Sequence, residues 1–133
     1  MKASEIMTKS VISVDGSTTV SEATKIMAEH NIGALVIQTP KPTFGIFTQG
    51  DLLNRVIAKN KSLRKTKIAD VMTESTKCAQ SEDNISEITT VMYEENVKYL
   101  PVMEGRKLVG IISHIDLFRA VFRGAEGYKQ EVI

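Results

Sequence analysis

One cysteine, Cys78, and no tryptophan occur in this chain. A single thiol closes no internal disulfide, and two scattered histidines complete no Cys/His cluster for a structural zinc. Aromatic residues make up only 5%, too few for the stacking platforms that hold single-stranded nucleic acid. Charge of one sign is also missing. The 17 Lys and Arg against 16 Asp and Glu leave a formal net charge of +1, with no global field to draw nucleic acid or anionic membrane. No apolar run approaches the roughly 20 residues of a membrane span. The start, Met1-Lys2-Ala3-Ser4-Glu5, has no apolar stretch of a secretory signal, so a cytoplasmic protein away from the membrane is expected.

What is present is ordinary globular material, 42% hydrophobic and 25% charged over 133 residues. A chain of that length buries roughly two-thirds of its unfolded surface and needs neither metal nor disulfide to form a core.

The chain repeats itself. Its second half copies the first at a constant offset of 65 residues without a gap. Met7-Thr8 recurs as Met72-Thr73, Ser21-Glu22 as Ser86-Glu87, Met27 as Met92 and Asn31 as Asn96. Leu35 recurs as Leu100, Gly45-Ile46 as Gly110-Ile111, and Asp51-Leu52 as Asp116-Leu117. Each copy reads alike. Thr19-Val20-Ser21-Glu22 is a capping-box pattern, and Asn84-Ile85-Ser86-Glu87 is its counterpart with Asn as the cap. Apolar residues follow at helical spacing: Val20, Ala23, Ile26, Met27, then Ile85, Ile88, Val91, Met92. Two apolar runs come next, at 34–37 and 44–47, matched at 99–103 and 108–112, with turn residues between them. A second helix is expected at 51–58 and 116–123, and a leading strand at 11–14 and 77–79. The unit is therefore βαββα, and strands this short must pair across copies into one α/β body. The expected division is repeat 1 at 1–58, a basic linker at 59–67, repeat 2 at 68–123 and a tail at 124–133. The stretch 68–72 should form a short helix echoing 3–7.

Chemistry concentrates in Gly45-Ile46-Phe47-Thr48-Gln49-Gly50-Asp51 and its copy Gly110-Ile111-Ile112-Ser113-His114-Ile115-Asp116. In each, an apolar strand ends in a hydroxyl residue, and a carboxylate follows three places on at a helix start. The first amides of a helix have no internal partner and favour an anion, so a phosphate can sit there with Thr48 or Ser113 donating to it. Asp51 or Asp116 can accept from two vicinal hydroxyls, the way a carboxylate recognises ribose. The same spacing is also a capping box, and this reading stays open beside the first. Gly45 and Gly110 suit a close backbone approach.

The repeat, its element order and the Gly-x-x-(Thr/Ser)-x-x-Asp-Leu ending together resemble the CBS-domain family, a tandem pair of which is called a Bateman module. The resemblance runs from Ile6 to Phe122, and Lys98-Tyr99-Leu100-Pro101-Val102 and Leu108-Val109-Gly110-Ile111-Ile112 are typical of it. It implies two pseudo-symmetric βαββα copies packed sheet to sheet, with clefts for adenosine-containing ligands such as AMP, ADP, ATP or S-adenosylmethionine. By motif position Asp51 and Asp116 would meet ribose, and Thr48 and Ser113 phosphate or ribose, with His114 beside the phosphate. Residues near Ile12 and Cys78 would hold the base. The resemblance further implies a homodimer, a separate effector protein, and an adenine nucleotide as regulatory ligand rather than obligatory cofactor.

The first copy departs from the stronger binders, having Gln49-Gly50 where they place a basic residue; only His114 in the second copy answers that need. Neither a nucleophile–base pair nor a metal cluster is visible, so no catalytic residue is assigned. A dimerisation or interaction platform without nucleotide is the alternative, with the basic run Lys59, Lys61, Arg64, Lys65, Lys67 as its one local handle for nucleic acid.

Overall fold

The computed structural model describes residues 1–40, 44–75 and 77–124, and the side chains of 75, 123 and 124 are not described. The expected turn residues Lys41 and Pro42 and the tail beyond 124 lie outside that description. In chain order the elements are α1 (Ala3–Ile6), β1 (Ser13–Asp15), α2 (Val20–His30), β2 (Ala34–Gln38), β3 (Phe44–Thr48), α3 (Gln49–Asp51), β4 (Thr73–Ser75), β5 (Ala79–Gln80), α4 (Ile85–Glu95), β6 (Tyr99–Glu104), β7 (Lys107–Ser113) and α5 (His114–Gly124). Two departures from regular helix occur among the described residues. A π-helical turn, Leu52–Ile57, continues α3, and a 3-10 turn, Ile68–Asp70, stands before β4. The mixed α/β class is the one the sequence predicts.

The helix boundaries follow from caps. Thr19 Oγ1 accepts from the Glu22 amide at 3.2 Å while Glu22 accepts from the Thr19 amide at 3.2 Å, the reciprocal box read from sequence. Asn84 Oδ1 accepts from the Glu87 amide at 3.0 Å. Both helices end on an asparagine in the left-handed region, Asn31 at φ 51° and Asn96 at φ 53°, a conformation Asn tolerates better than other non-glycine residues.

The chain forms two compact units, and each joins one repeat to a leading segment that stands before the other in sequence: Val11–Thr76, and Met1–Ser10 with Lys77–Ile133. In the first, the sheet runs β1-β2-β3-β4, with β1 parallel to β2 and the other pairs antiparallel. Its core gathers Val20, Ala23, Met27, Leu35, Ile37, Phe47 and Val56, and Ile68 and Val71 from the leading segment complete it. The basic run 59–67 is well tied to this unit. Ser21 N donates to Leu63 O at 2.8 Å and Val20 N to Thr66 O at 2.9 Å, so the linker carbonyls answer the first amides of α2. Its five cations are exposed.

The second unit carries the sheet β5-β6-β7 and a core of Ala79, Ile88, Met92, Leu100, Val102 and Ile112, closed by the fully buried Ala3 of α1. An isolated antiparallel bridge, Thr8 to Ile111, stands where the first unit has β4 against β3. The strand β4 lies outside the sequence expectations.

Gly45 and Gly110 have a packing explanation. A Cβ on Gly45 would meet the side chain of Met72, its Cε at 2.9 Å. One on Gly110 would meet the side chain of Met7, its Cγ at 2.9 Å, and the Thr8 carbonyl at 3.0 Å. Each glycine thus admits a methionine of the leading segment rather than a ligand, and Met7 and Met72 pack on the two cores as fillers. Gly110→Ala should destabilise the protein by about 1–3 kcal/mol through overpacking. In urea unfolding, Met7→Ala combined with Gly110→Ala should cost less than the two single losses together. Strict additivity would refute this interlock.

Candidate functional site

In each unit a strand passes directly into a helix. Thr48 closes β3 with extended backbone, φ −115° and ψ 168°, and Gln49 is already helical. Ser113 closes β7 and His114 opens α5 in the same way. Both second helices therefore begin two residues before the positions expected from sequence, because the hydroxyl residue is the cap and the acid its third helical residue.

So sharp a turn strands amides that must be answered. The first is taken by a carbonyl just ahead of the neighbouring strand in the sheet: Gln49 N donates to Gly33 O at 3.1 Å, before β2, and His114 N to Lys98 O at 2.9 Å, before β6. The third is taken by the hydroxyl: Asp51 N donates to Thr48 Oγ1 at 3.1 Å, and Asp116 N to Ser113 Oγ at 3.2 Å. The carboxylate replies. Thr48 N donates to Asp51 Oδ2 at 3.0 Å and Ser113 N to Asp116 Oδ2 at 2.8 Å. The capping arrangement is thus realised twice. It leaves something over: each hydroxyl accepts here and keeps its own hydrogen to donate.

The carboxylates' other oxygens differ. Asp51 Oδ1 lies 3.4 Å from Arg55 Nε, and Arg55 Nη1 donates to the Met72 carbonyl at 3.0 Å. The position matching Arg55 in the second unit is Ala120, which is buried, and Asp116 Oδ1 has no partner among the described residues. Arg119 is exposed and, among the described residues, forms no ion pair with Asp116; the side chain of Arg123, four residues on, lies outside the description.

Around Asp116 two further groups collect. Tyr99, opening β6, is the register partner of Ser113, and its ring meets that of His114 edge-on with centroids 6.2 Å apart. Burial, and then the negative charge of Asp116, pushes the Tyr99 phenol above its ordinary value. Tyr99 and Arg55 are absent from the residues singled out by motif. The signals were there: Tyr99 heads the strand that pairs with the one ending in Ser113, and Arg55 lies four residues beyond Asp51 on a helix. Residue 34, which matches Tyr99, is alanine.

Ile12 is half-buried against the first core, and its carbonyl accepts from Val36 N at 3.3 Å on the edge of β2 away from β3. By register it stands at the sheet end where Thr48 leaves β3. Cys78 is half-buried one residue before β5, and burial raises its thiol, which disfavours a reactive thiolate. His30 returns to its own helix, Nδ1 lying 2.9 Å from the Ile26 carbonyl. Among the described residues, no group of three His, Cys, Asp or Glu is placed to hold a metal, and no helix is long and apolar enough to cross a membrane.

Comparison with known proteins agrees with this architecture. The family model described as CBS domain matches twice, at residues 3–58 and 68–123. The CBS domain-containing protein CBSX3, mitochondrial, of Arabidopsis thaliana is 32% identical over 89% of this chain, which spans 63% of that protein. The inosine-5'-monophosphate dehydrogenase of Methanocaldococcus jannaschii is 32% identical over 89% of this chain, which spans only 23% of that enzyme. A solved CBS-domain protein from Burkholderia ambifaria MC40-6 superposes with a TM-score of 0.87 at 27% identity, covering 95% of this chain and 97% of the other. The CBS domain pair of protein MJ0100, solved with 5-methylthioadenosine and S-adenosyl-L-methionine, gives 0.80 at 27% identity, covering 91% and 95%.

The Tyr99 shift carries a pH consequence. A phenol raised in the folded chain favours its protonated form there, so its stabilising contribution is complete below the ordinary value of 10.0. That contribution is lost as pH climbs through the raised folded value. In an ultraviolet titration one tyrosine should ionise late, and Tyr99→Phe should abolish that step. Asp116→Asn should move it back toward the ordinary range; an unmoved step would place Asp116 too far away to matter.

Proposed function

The chain belongs to the CBS-domain family, and on that footing we propose that it is a regulatory module sensing an adenosine-containing ligand and acting on a separate partner protein. One observation carries the ligand reading. At the second junction the Asp116 carboxylate is held in place by the cap through Oδ2, while its Oδ1 has no partner among the described residues and its charge reaches the Tyr99 phenol, whose ring meets that of His114. A fixed acceptor suits ribose hydroxyls, the Ser113 hydroxyl still has a hydrogen to donate, and His114 can supply charge to a phosphate. Two adenosine derivatives in the solved pair of protein MJ0100 support the ligand class. Ile12 and Cys78, at the leading strands, are the residues proposed to border the base. The adenine nucleotide would act as a regulator, shifting populations by its differential affinity for two packings, and not as an obligatory cofactor.

Self-association is the second part of the reading. Leu53 and Phe118 occupy matching positions in the two repeats and are 61% and 58% exposed. Ile57, Ile115 and Val121 are exposed on the same two helical segments, and Phe118 stacks edge-on against Phe122 at 4.3 Å. Apolar side chains grouped on one helix face favour a partner surface, here a second copy. These residues also support the alternative, an interaction platform without nucleotide.

The first test is a thermal-shift screen with AMP, ADP, ATP and S-adenosylmethionine, in which a ligand at about 100 times its Kd stabilises by about 2.7 kcal/mol. Calorimetric titration should then show Asp116→Ala weakening binding by about tenfold or more, the loss of a hydrogen bond to a charged group, and Asp51→Ala by less. Equal losses would remove the asymmetry, and the absence of any shift in the screen would leave the platform reading in its place. Separately, Leu53→Glu with Phe118→Glu should lower the molar mass seen by light scattering toward that of one chain. An unchanged mass would put the contact elsewhere.

A further inference from the structure

Asp51 and Asp116 stand in boxes with the same hydrogen-bond pattern, so any difference in what they bind comes from the side chains around the second carboxylate oxygen. Asp51 Oδ1 faces the Arg55 guanidinium, which is anchored from its other edge by the Met72 carbonyl. The Asp51 side chain is only 13% exposed, whereas that of Arg55 is 49% exposed. Among the described residues Asp116 Oδ1 meets no cation, the residue matching Arg55 being Ala120. A vicinal diol needs free lone pairs on a carboxylate edge, and at Asp51 one oxygen already accepts an amide while the other faces a guanidinium.

We infer that Arg55 is a latch on the first junction: it holds the Asp51 carboxylate against the segment carrying Met72, and a ribose-bearing ligand must displace it to bind there. This rests on the nucleotide reading above and adds to it a residue that sets which junction is filled. Arg55 acts through Asp51 and is a positioning residue. A half-exposed ion pair shifts an equilibrium by about two- to fivefold, and the tie to the Met72 carbonyl adds to that.

The test uses the full chain in an Asp116→Ala background, so that the first junction alone is read. Calorimetric titration with adenosine and with ATP compares Arg55 with Arg55→Ala and with Arg55→Gln, the latter keeping most of the stem. Both variants should bind both ligands about three- to tenfold tighter. Adding Asp51→Ala should erase the gain. Unchanged affinity would overturn the latch, and so would weaker binding confined to ATP, which would make Arg55 a phosphate clamp. If the unmutated protein binds adenosine ligands and the Arg55 variants gain nothing, only the latch falls. If neither the unmutated protein nor any variant binds adenosine or ATP, the nucleotide reading falls and takes the latch with it.

Discussion

Backbone amides at the turn from strand to helix are the constraint on which the rest of this molecule depends. With no residue between β3 and α3, or between β7 and α5, the chain must answer those amides locally. A hydroxyl and a carboxylate three residues apart do so reciprocally, and a carbonyl from Gly33 or Lys98 takes the first amide. Fixing the carboxylate for the cap also fixes it for a ligand. An aspartate already held by Oδ2 loses little further side-chain freedom when Oδ1 accepts a hydroxyl, which is how preorganisation favours binding. The capping and ligand readings of this spacing are therefore compatible: one oxygen maintains the turn, and on the proposed reading the other, at Asp116, takes the ligand.

A second constraint is the shortness of the strands. A three-residue β1 and a two-residue β5 bury too little on their own. Each core is closed by a leading segment, Ile68 and Val71 in one unit and Ala3 in the other, and each segment lays a methionine over a strand glycine. The compact units consequently do not coincide with the sequence repeats, although the family model begins each match at the leading segment. Repetition records how the chain is written; burial records which pieces complete one another.

That distinction marks what was legible in the sequence. The starts of helices α2 and α4 were readable because Thr19 and Asn84 set them by local chemistry; their ends, on left-handed Asn31 and Asn96, were not assigned by those caps. Strands β2, β3, β6 and β7 were readable as apolar runs flanked by turn residues. The strand β4 was not, since Thr73–Ser75 is short and polar and is extended only by pairing with β3. Nor was the π turn at Leu52–Ile57, whose i to i+5 bonds, such as Ala58 N to Leu53 O at 2.9 Å, leave no mark in composition. The glycines were read for close approach, which was right in kind, but the approaching group was a methionine from a segment distant in sequence. At the site, the hydroxyl and carboxylate positions came from spacing alone. Tyr99 needed strand register, whereas Arg55 was within reach of simple i, i+4 spacing from Asp51 but belonged to no motif.

Where the two repeats differ is as informative as where they agree. The cap requires only a hydroxyl and a carboxylate, and both copies keep these. Among the many differences between the copies, three fall beside the cap: Arg55 against Ala120, Ala34 against Tyr99, Gln49 against His114. Two equal sites would fill over one concentration range and report a single threshold. Unequal sites separate filling of the stronger from filling of the weaker, and each step can bias the protein only by its own difference in affinity between states. On the proposed reading, a fixed carboxylate free on one side and latched on the other is how one repeated backbone comes to respond in two steps.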